Sequence, residues 1–307
     1  MKHSIILLAI ALLVTLSSCE QTVELGEVPY LEKIVVDGMI TSGDPIKVTF
    51  SKTMPPTTSL DSWRGFDTAA IRLTNVVATI TVDNQVCTLQ HIRVGEYFAR
   101  KPNGDTLYCE IGKTYILNAQ WNGHIISATT TAPQEKQLQV NTAKFTPVSD
   151  NYPVVLEIDV KYKYLLNTND LITNSLWITY KQNEKSWKAF HEVPSDIDSL
   201  SEFDRFNSYR PVFRTYVSAD STSGRIFTYN EEYVSTASEA LDLYKEVYVL
   251  TESYDHQFLS YLNTEWNNNG DGDFFGASGQ NVSWNIKGDG LGLFLAKTNH
   301  KTPIVFK

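Results

Sequence analysis

Strict alternation of apolar and charged residues is the feature that most limits what this chain can fold into. In the middle of the sequence, a charged residue separates each apolar residue from the next in the set Leu156, Ile158, Val160, Tyr162 and Tyr164. Successive side chains of a strand point to opposite faces, so the pattern predicts a strand with one buried face. Aromatic residues make up 12% of the chain, and many lie beside Thr, Val and Ile, which also favours strands.

The first third of the chain carries the same signal in shorter runs. Ala78, Ile80 and Val82 alternate with threonines, and Asn122-Gly123 is a strong signal for a hairpin. About seven such runs follow one another within about a hundred residues, separated by turn residues. We therefore expect an N-terminal immunoglobulin-like β-sandwich over residues 31–133.

A second β-rich domain is expected over residues 134–307, and it carries one amphipathic helix. Four apolar residues have the spacing i, i+4, i+7 and i+8 of a single helical face: Tyr254, Phe258, Tyr261 and Leu262. Thr251 or Ser253 can cap this helix, which is predicted near residues 252–265. The predicted fold class is mainly β, an immunoglobulin-like sandwich followed by a β-rich domain with one helix.

The N-terminus has the pattern of a lipoprotein signal peptide over residues 1–18. A basic start precedes an apolar run at 5–16, which is shorter than the ~20 residues that a transmembrane helix needs. The run ends in Leu16-Ser17-Ser18-Cys19, where small residues precede a cysteine that can accept lipid. We expect an acylated Cys19 and a tether over 19–30; the alternative is an ordinary secretory leader in which this cysteine has no role.

Two further cysteines, Cys87 and Cys109, have two interpretations. An exported protein meets an oxidising compartment, so a disulfide between them is allowed. The alternative is a pair of buried free thiols that act as small apolar side chains. The sequence does not decide between the two.

Charge and motifs exclude several functional classes. The net charge is −9 without any run of Lys or Arg, so nucleic acid is not an expected partner. The six histidines form no HExxH motif, and no GxSxG motif occurs. His256, beside Asp255, is interpreted as a surface residue and not as a general base. We therefore expect no enzyme, no catalytic residue, no metal and no cofactor.

Aromatic residues in predicted loops are the candidate contact residues. Trp63 lies in the loop 55–66, and Phe274 and Phe275 lie in the Gly-rich loop 267–279. Aromatic loop tips on a β-scaffold suit contact with a partner or a carbohydrate, and the alternative is that these rings fold back into the core. One hypothesis is that the loop 267–279 makes the principal contact while the first domain acts as a spacer.

Several short elements, in a fixed order, carry a family resemblance. They are the cysteine of the leader, the strand 34–40, the unit 78–115, the helix 254–262, and Asn285-Ile286 followed by 290–294. Their order and spacing resemble the Bacteroidota lipoproteins of the domain of unknown function 4249 family. Members of this family are commonly encoded beside TonB-dependent outer-membrane transporters.

The resemblance implies a location and a role, and no catalysis. It implies a lipoprotein held in the outer-membrane bilayer by acylated Cys19 and exposed at the cell surface. The acidic residues after Cys19 are scattered and form no consecutive run, so the periplasmic face is the alternative location. The implied role is that of a non-catalytic accessory or substrate-capture partner of a TonB-dependent transporter. A structural or adhesive cell-surface protein is the alternative function.

Overall fold

The computed structural model describes residues 30–54, 68–149, 152–164, 171–182, 185–191, 223–268 and 282–305, and this part of the chain is mainly β, as predicted. Its strands are β1 Ile34–Thr41, β2 Lys47–Lys52, β3 Val77–Val82, β4 Gln85–Arg93, β5 Glu96–Arg100, β6 Thr114–Trp121, β7 His124–Thr131, β8 Leu138–Ser149, β9 Val154–Tyr164, β10 Leu171–Tyr180, β11 Ser186–His191, β12 Ser223–Glu232, β13 Tyr244–Tyr254, β14 Lys287–Gly288 and β15 Gly290–Pro303. Its helices are α1 Ala237–Asp242 and α2 Phe258–Asn268, with a 3-10 turn at Thr68–Ile71.

The N-terminal strands form a sandwich, and two of its hairpins have tight two-residue turns, of which the one at Asn122-Gly123 is predicted from the sequence. In the described residues these strands belong, together with β14 and β15 from the C-terminal part of the chain, to one twelve-stranded sheet with the order β11-β10-β13-β15-β1-β2-β5-β4-β3-β6-β7-β14. Asp83 and Asn84 between β3 and β4 have φ of 48° and 63°, and Asn122 and Gly123 between β6 and β7 have 46° and 84°. Two consecutive positive φ values are the geometry of a two-residue hairpin turn that matches the twist of the strands.

The core of this sandwich includes residues from the C-terminal part of the sequence. One face of β6, from Tyr115 to Trp121 at alternate positions, is buried there. Ile286, Phe294 and Ala296 from the C-terminal segment are buried in the same cluster. The expected boundary at residue 133 stays a prediction, but the strand β15 contributes to the core on the N-terminal side of it.

A second sandwich packs the sheet β12-β9-β8 against β10 and β13. Every second residue of β9 is buried in the cluster that also contains residues of β10 and β13. The strand and its buried face, which the alternation predicts, are therefore confirmed. β10 differs, because eight of its ten residues are buried, on both faces, and Thr173, Asn174 and Ser175 are among them. A strand that is buried on both faces has no regular alternation of apolar and polar residues, so this signal does not predict it from the sequence.

The helix begins later than the spacing predicts. Tyr254 is the last residue of β13, paired with Leu171 and Lys297, and α2 begins at Phe258. Tyr254 still contacts the helix, since its ring centroid lies 5.2 Å from that of Phe258. The apolar stripe therefore has the predicted members, but long-range pairing makes its first member part of a strand.

One strand, β15, joins the two sandwiches. Its first half pairs in parallel with β1, from Ile34 with Gly290 to Thr41 with Lys297. Its second half pairs with β13, up to Tyr248 with Pro303. We call the end of the molecule at which Ile34 lies the near end. The end of the molecule at which β10 and β13 pair at Tyr180 and Tyr244 is called the far end. The second sandwich thus lies beyond the C-terminal end of β1.

Candidate functional site

The predicted lipidation and contact residues lie outside the described part of the chain. This applies to Cys19, Trp63, Phe274 and Phe275, and to all but the first two residues of the loop 267–279. Their roles stay predictions. No helix among the described residues has the length and apolar character needed to cross a membrane.

Cys87 and Cys109 are both buried and are not joined by a disulfide. Cys87 lies on β4 opposite Ile80, whereas Cys109 lies between β5 and β6, where its backbone bonds to Gly43 and Asp44. Burial raises the pKa of both thiols, that of Cys109 to about 11. Since the thiolate is the reactive form, these side chains are poor nucleophiles and act as core residues.

His256 lies in the turn before α2 and is exposed, as its interpretation as a surface residue requires. Its side chain is 81% exposed, and Nδ1 lies 3.4 Å from Oδ1 of Asp255. In the described ranges, no three His, Cys, Asp or Glu side chains are grouped so that they could hold a metal.

The neighbouring Asp255 side chain, in contrast, is buried at the junction of the two sandwiches. Its Oδ2 accepts hydrogen bonds from the hydroxyl of Thr130 and the backbone N–H of Thr131, each at 2.8 Å. The same Thr130 hydroxyl accepts a bond from the N–H of Ala296, and the N–H of Asp255 donates to the carbonyl of Ala296. One carboxylate therefore connects β7, β15 and the segment between β13 and α2.

The far end is organised by a second buried carboxylate, that of Glu232. Its Oε1 accepts hydrogen bonds from the hydroxyls of Tyr180 at 2.7 Å and Tyr244 at 2.9 Å, and from the amide of Asn230 at 2.8 Å. Glu232 is 6% exposed. A buried carboxylate with three donors is satisfied without a cation, so its role is to join the ends of β10, β12 and β13.

The segment after Glu232 makes a tight turn into α1. The N–H of Val234 donates to the carbonyl of Glu232, and the Thr236 hydroxyl accepts from the N–H of Glu239. The Glu239 carboxylate in turn accepts from the N–H of Ser235. Thr236 and Glu239 have the spacing of a capping box, a signal in the sequence that could have predicted the start of this helix.

Two tyrosines lie on the surface beside this turn. Tyr152, before β9, is 67% exposed, and Tyr233, after β12, is 69% exposed. Their ring centroids are 5.9 Å apart with the planes inclined at 64°. Residues Val154 and Glu232 pair across β9 and β12, which brings the two connections together. Sequence reasoning missed this pair because its members are about eighty positions apart and meet only through that pairing.

Alkaline pH is expected to destabilise the far end. Burial, reinforced by the charge of Glu232, raises the pKa of Tyr180 to about 12 and also raises that of Tyr244. The unfolded pKa of tyrosine is about 10, so this stabilisation is complete below about pH 10 and is lost as pH rises towards 12. We expect the free energy of unfolding to fall by about 1–3 kcal/mol across that window. Urea unfolding at several pH values measures it, and Tyr180→Phe should show a shallower decline; an identical decline would contradict the assignment.

Solved structures are similar to this chain at low sequence identity. No curated protein sequence matches. A DUF4785 family protein from Legionella pneumophila is similar over 72% of this chain and 52% of its own, with 13% identity and a TM-score of 0.21. Trypsin-activated alpha-2-macroglobulin from Escherichia coli is similar over 74% of this chain and 14% of its own, with 12% identity and a TM-score of 0.19. The model of the family described as domain of unknown function 4249 matches residues 20–302, so the chain belongs to this family.

Proposed function

We propose that this chain is an outer-membrane-anchored lipoprotein, exposed at the cell surface, that serves as a non-catalytic accessory or substrate-capture partner of a TonB-dependent transporter. Membership of the domain of unknown function 4249 family supports the proposal, because members of this family are commonly encoded beside TonB-dependent outer-membrane transporters. The Leu16-Ser17-Ser18-Cys19 sequence supplies the anchor. Two or more acyl chains, each contributing ~0.8 kcal/mol per buried methylene, are enough for stable attachment.

The observation that carries the proposal is the position at which the chain enters the fold. The Tyr30 hydroxyl donates to the carbonyl of Thr53, and the backbone groups of Lys33 and Thr53 bond to each other, which fixes this segment at the near end. Ten residues lie between Cys19 and Tyr30, so eleven residue-to-residue steps join them. Fully extended, they reach at most about 40 Å. A lipid on Cys19 would therefore hold the first sandwich close to the membrane.

The far end is then carried away from the bilayer. β15 has 14 residues. At about 3.3 Å per residue it spans about 46 Å, from the near end well into the second sandwich. This arrangement suits a protein whose near end stays at the bilayer while its far end meets a ligand or the external part of a transporter.

The anchor is tested by Cys19→Ala. The variant should incorporate no radiolabelled palmitate and should move from the membrane fraction to the soluble fraction, because it lacks the cysteine proposed to carry the acyl chains. Ser17→Ala keeps a small residue before the cysteine and should label like the wild type. Lipid labelling of Cys19→Ala would reject the assignment.

The partnership is tested by purifying the chain from detergent-solubilised membranes of its native host. A TonB-dependent transporter should co-purify at a stoichiometric level. Membrane attachment without a co-purified transporter would reject the accessory role and would favour the structural or adhesive alternative.

A further inference from the structure

The near end of the first sandwich carries a rim of exposed aliphatic side chains. In the described part of this sandwich, six aliphatic residues are more than half exposed. Val86 lies close to the opposite end, at the start of β4, and the other five lie at the near end. We call these five the near-end rim: Leu31 at 75%, Val77 at 74%, Ile125 at 63%, Ile92 at 52% and Val94 at 51% exposed.

Backbone pairing places three rim residues where β1 begins. Leu31 lies just before β1. Val94 lies in the turn between β4 and β5, and the carbonyl of the next residue, Gly95, accepts a hydrogen bond from the N–H of Phe50 on β2. Ile92 is close to the end of β4 that enters the same turn. These residues therefore lie at the end of the sandwich at which β1 begins and β2 ends.

Val77 and Ile125 are at the same end, further along the sheet. Val77 starts β3 and pairs with Gln120, which pairs in turn with Ile125 on β7. The carbonyl of Ile125 accepts from the N–H of Asp289, whose own carbonyl accepts from the N–H of Ile34. Because these bonds bring β7 back to β1, the rim residues surround the near end and do not form a single sheet face.

The opposite ends of the same strands carry polar residues. β1 ends at Thr41, β5 at Arg100 and β7 at Thr131, β4 begins at Gln85, and the exposed Asp83 follows β3. That end adjoins the second sandwich. The rim is thus a property of the end that faces away from the second sandwich. Clustered exposed apolar side chains with polar surroundings mark a contact with protein or membrane.

The charge of the near end does not select an anionic partner. Its described segments contain five basic and three acidic residues, and the tether 19–30 and the segment 55–67, which both join this end, add one basic and five acidic residues. The described segments are 30–35, 51–54, 72–77, 91–96, 120–126 and 284–290. With six basic against eight acidic residues, no excess of positive charge attracts phosphate groups. The contact must therefore be apolar.

The tether indicates which partner covers the rim. It ends at Tyr30, directly beside Leu31, so a lipid on Cys19 draws this end of the molecule, and not the far end, to the bilayer. A reach of at most about 40 Å gives the rim an effective concentration at the membrane on the order of millimolar. At that concentration a few half-exposed aliphatic side chains suffice for contact, because each gains free energy on leaving water.

We propose that the near-end rim enters the surface of the lipid bilayer, at the boundary between headgroups and acyl chains, and so orients the molecule with its far end away from the membrane. The inference deepens the proposed function and rests on its lipid anchor. Apolar contact drives it, so it needs no anionic lipid.

The test is fluorescence quenching with the lipidated chain in phosphatidylcholine vesicles. Val94→Cys or Ile125→Cys introduces a thiol for a bimane label, and the buried Cys87 and Cys109 do not compete for it. Nitroxide groups on the acyl chains, close to the headgroups, should quench either label by about half or more. The matched control is Val148→Cys, because Val148 is 59% exposed but lies on β8 in the second sandwich, and its label should stay unquenched.

Removal of the rim separates its effect from that of the label. Leu31→Asp combined with Ile125→Asp should abolish quenching of the label introduced by Val94→Cys, because a carboxylate does not enter the apolar layer. Val86→Asp is the matched control at the opposite end and should leave quenching unchanged. Circular dichroism should show that all variants fold, since every replaced residue is more than half exposed.

Four outcomes overturn the inference. They are unquenched labels at both rim positions, equal quenching of the Val148→Cys label, unchanged quenching in the double aspartate variant, and quenching that requires anionic lipid. In the last case basic residues, and not the rim, would hold the near end.

Failure of this inference can be told apart from failure of the proposed function. Mass spectrometry first shows whether Cys19 carries lipid. A chain without lipid rejects the anchor, and the rim is then tested in the same way with the Cys19→Ala chain, attached to nickel-chelating lipid by a histidine tag in place of the leader. A lipidated chain with unquenched rim labels overturns the rim contact alone. Quenched labels without a co-purified transporter support the contact and reject the partnership.

Discussion

Gly292→Ala is expected to cause the largest loss of stability among the substitutions proposed for this chain. Gly292 has φ of 103°, a conformation that disfavours a side chain. An alanine Cβ would lie 2.0 Å from the carbonyl oxygen of Val36 and 2.9 Å from its carbonyl carbon and nitrogen. Because these are backbone atoms of the paired strand, they cannot move without opening the β1–β15 ladder. The left-handed strain and the overpacking together should cost about 3–5 kcal/mol.

The consequence should reach both sandwiches, since β15 belongs to both. Denaturant unfolding followed by tryptophan fluorescence measures the loss. Gly104→Ala is the matched control, because Gly104 has φ of 90° and a Cβ added there would meet no heavy atom within 4 Å beyond its chain neighbours. In that variant the free energy of unfolding should fall only by the cost of placing an alanine in the left-handed conformation, about 1–2 kcal/mol. Equal losses in the two variants would show that the close approach to Val36 has no energetic effect.

Features that depend on neighbouring residues could be predicted from the sequence. The buried face of β9 follows from alternation within eleven residues, and the turns at Asp83-Asn84 and Asn122-Gly123 follow from two-residue signals. In each case the physical cause, side-chain direction or a positive φ, acts within a few positions. The mainly β fold could be predicted for the same reason.

Features that depend on distant residues could not be predicted. The parallel pairing of β1 with β15 joins positions about 250 residues apart, and no local pattern specifies it. The apolar spacing places the start of α2 too early because β13 pairs with β10 and β15 as far as Tyr254. Pairing on both sides stabilises an extended conformation more than a helical stripe stabilises a helix of the same few residues.

The far-end tyrosine pair and the two buried carboxylates belong to the same class. Glu232 and Asp255 stand in acidic or polar contexts that are typical of a surface, and the sequence gives no sign of the donors that meet them. Tyr152 and Tyr233 become neighbours only because β9 and β12 pair. Aromatic residues in predicted loops point instead to Trp63, Phe274 and Phe275, whose predicted contact role is independent of this pair.

Asp255→Ala is expected to loosen the junction between the sandwiches. The change removes the acceptor of the Thr130 hydroxyl and of the backbone N–H groups of Thr131 and Gln257. Each buried or partly buried donor left without a partner costs about 1–3 kcal/mol, and the effects are not additive. We expect a loss of about 2–4 kcal/mol in the free energy of unfolding. Asp255→Asn keeps one oxygen but turns an NH₂ group towards these donors, so its loss should be smaller.

The exposed Asp289 supplies the control for the loss of an acidic group. Its side chain is 67% exposed, and its ion pair with His124 spans 3.8 Å, so Asp289→Ala should change stability by less than about 0.5 kcal/mol. Hydrogen exchange can then locate the effect of Asp255→Ala. The amides of β7 and of β15 around Ala296 should lose protection, because the Thr130 hydroxyl that bonds to Ala296 is itself oriented by Asp255. Uniform loss of protection across both sandwiches would contradict a local role, and unchanged protection at Ala296 would show that the carboxylate does not hold the junction.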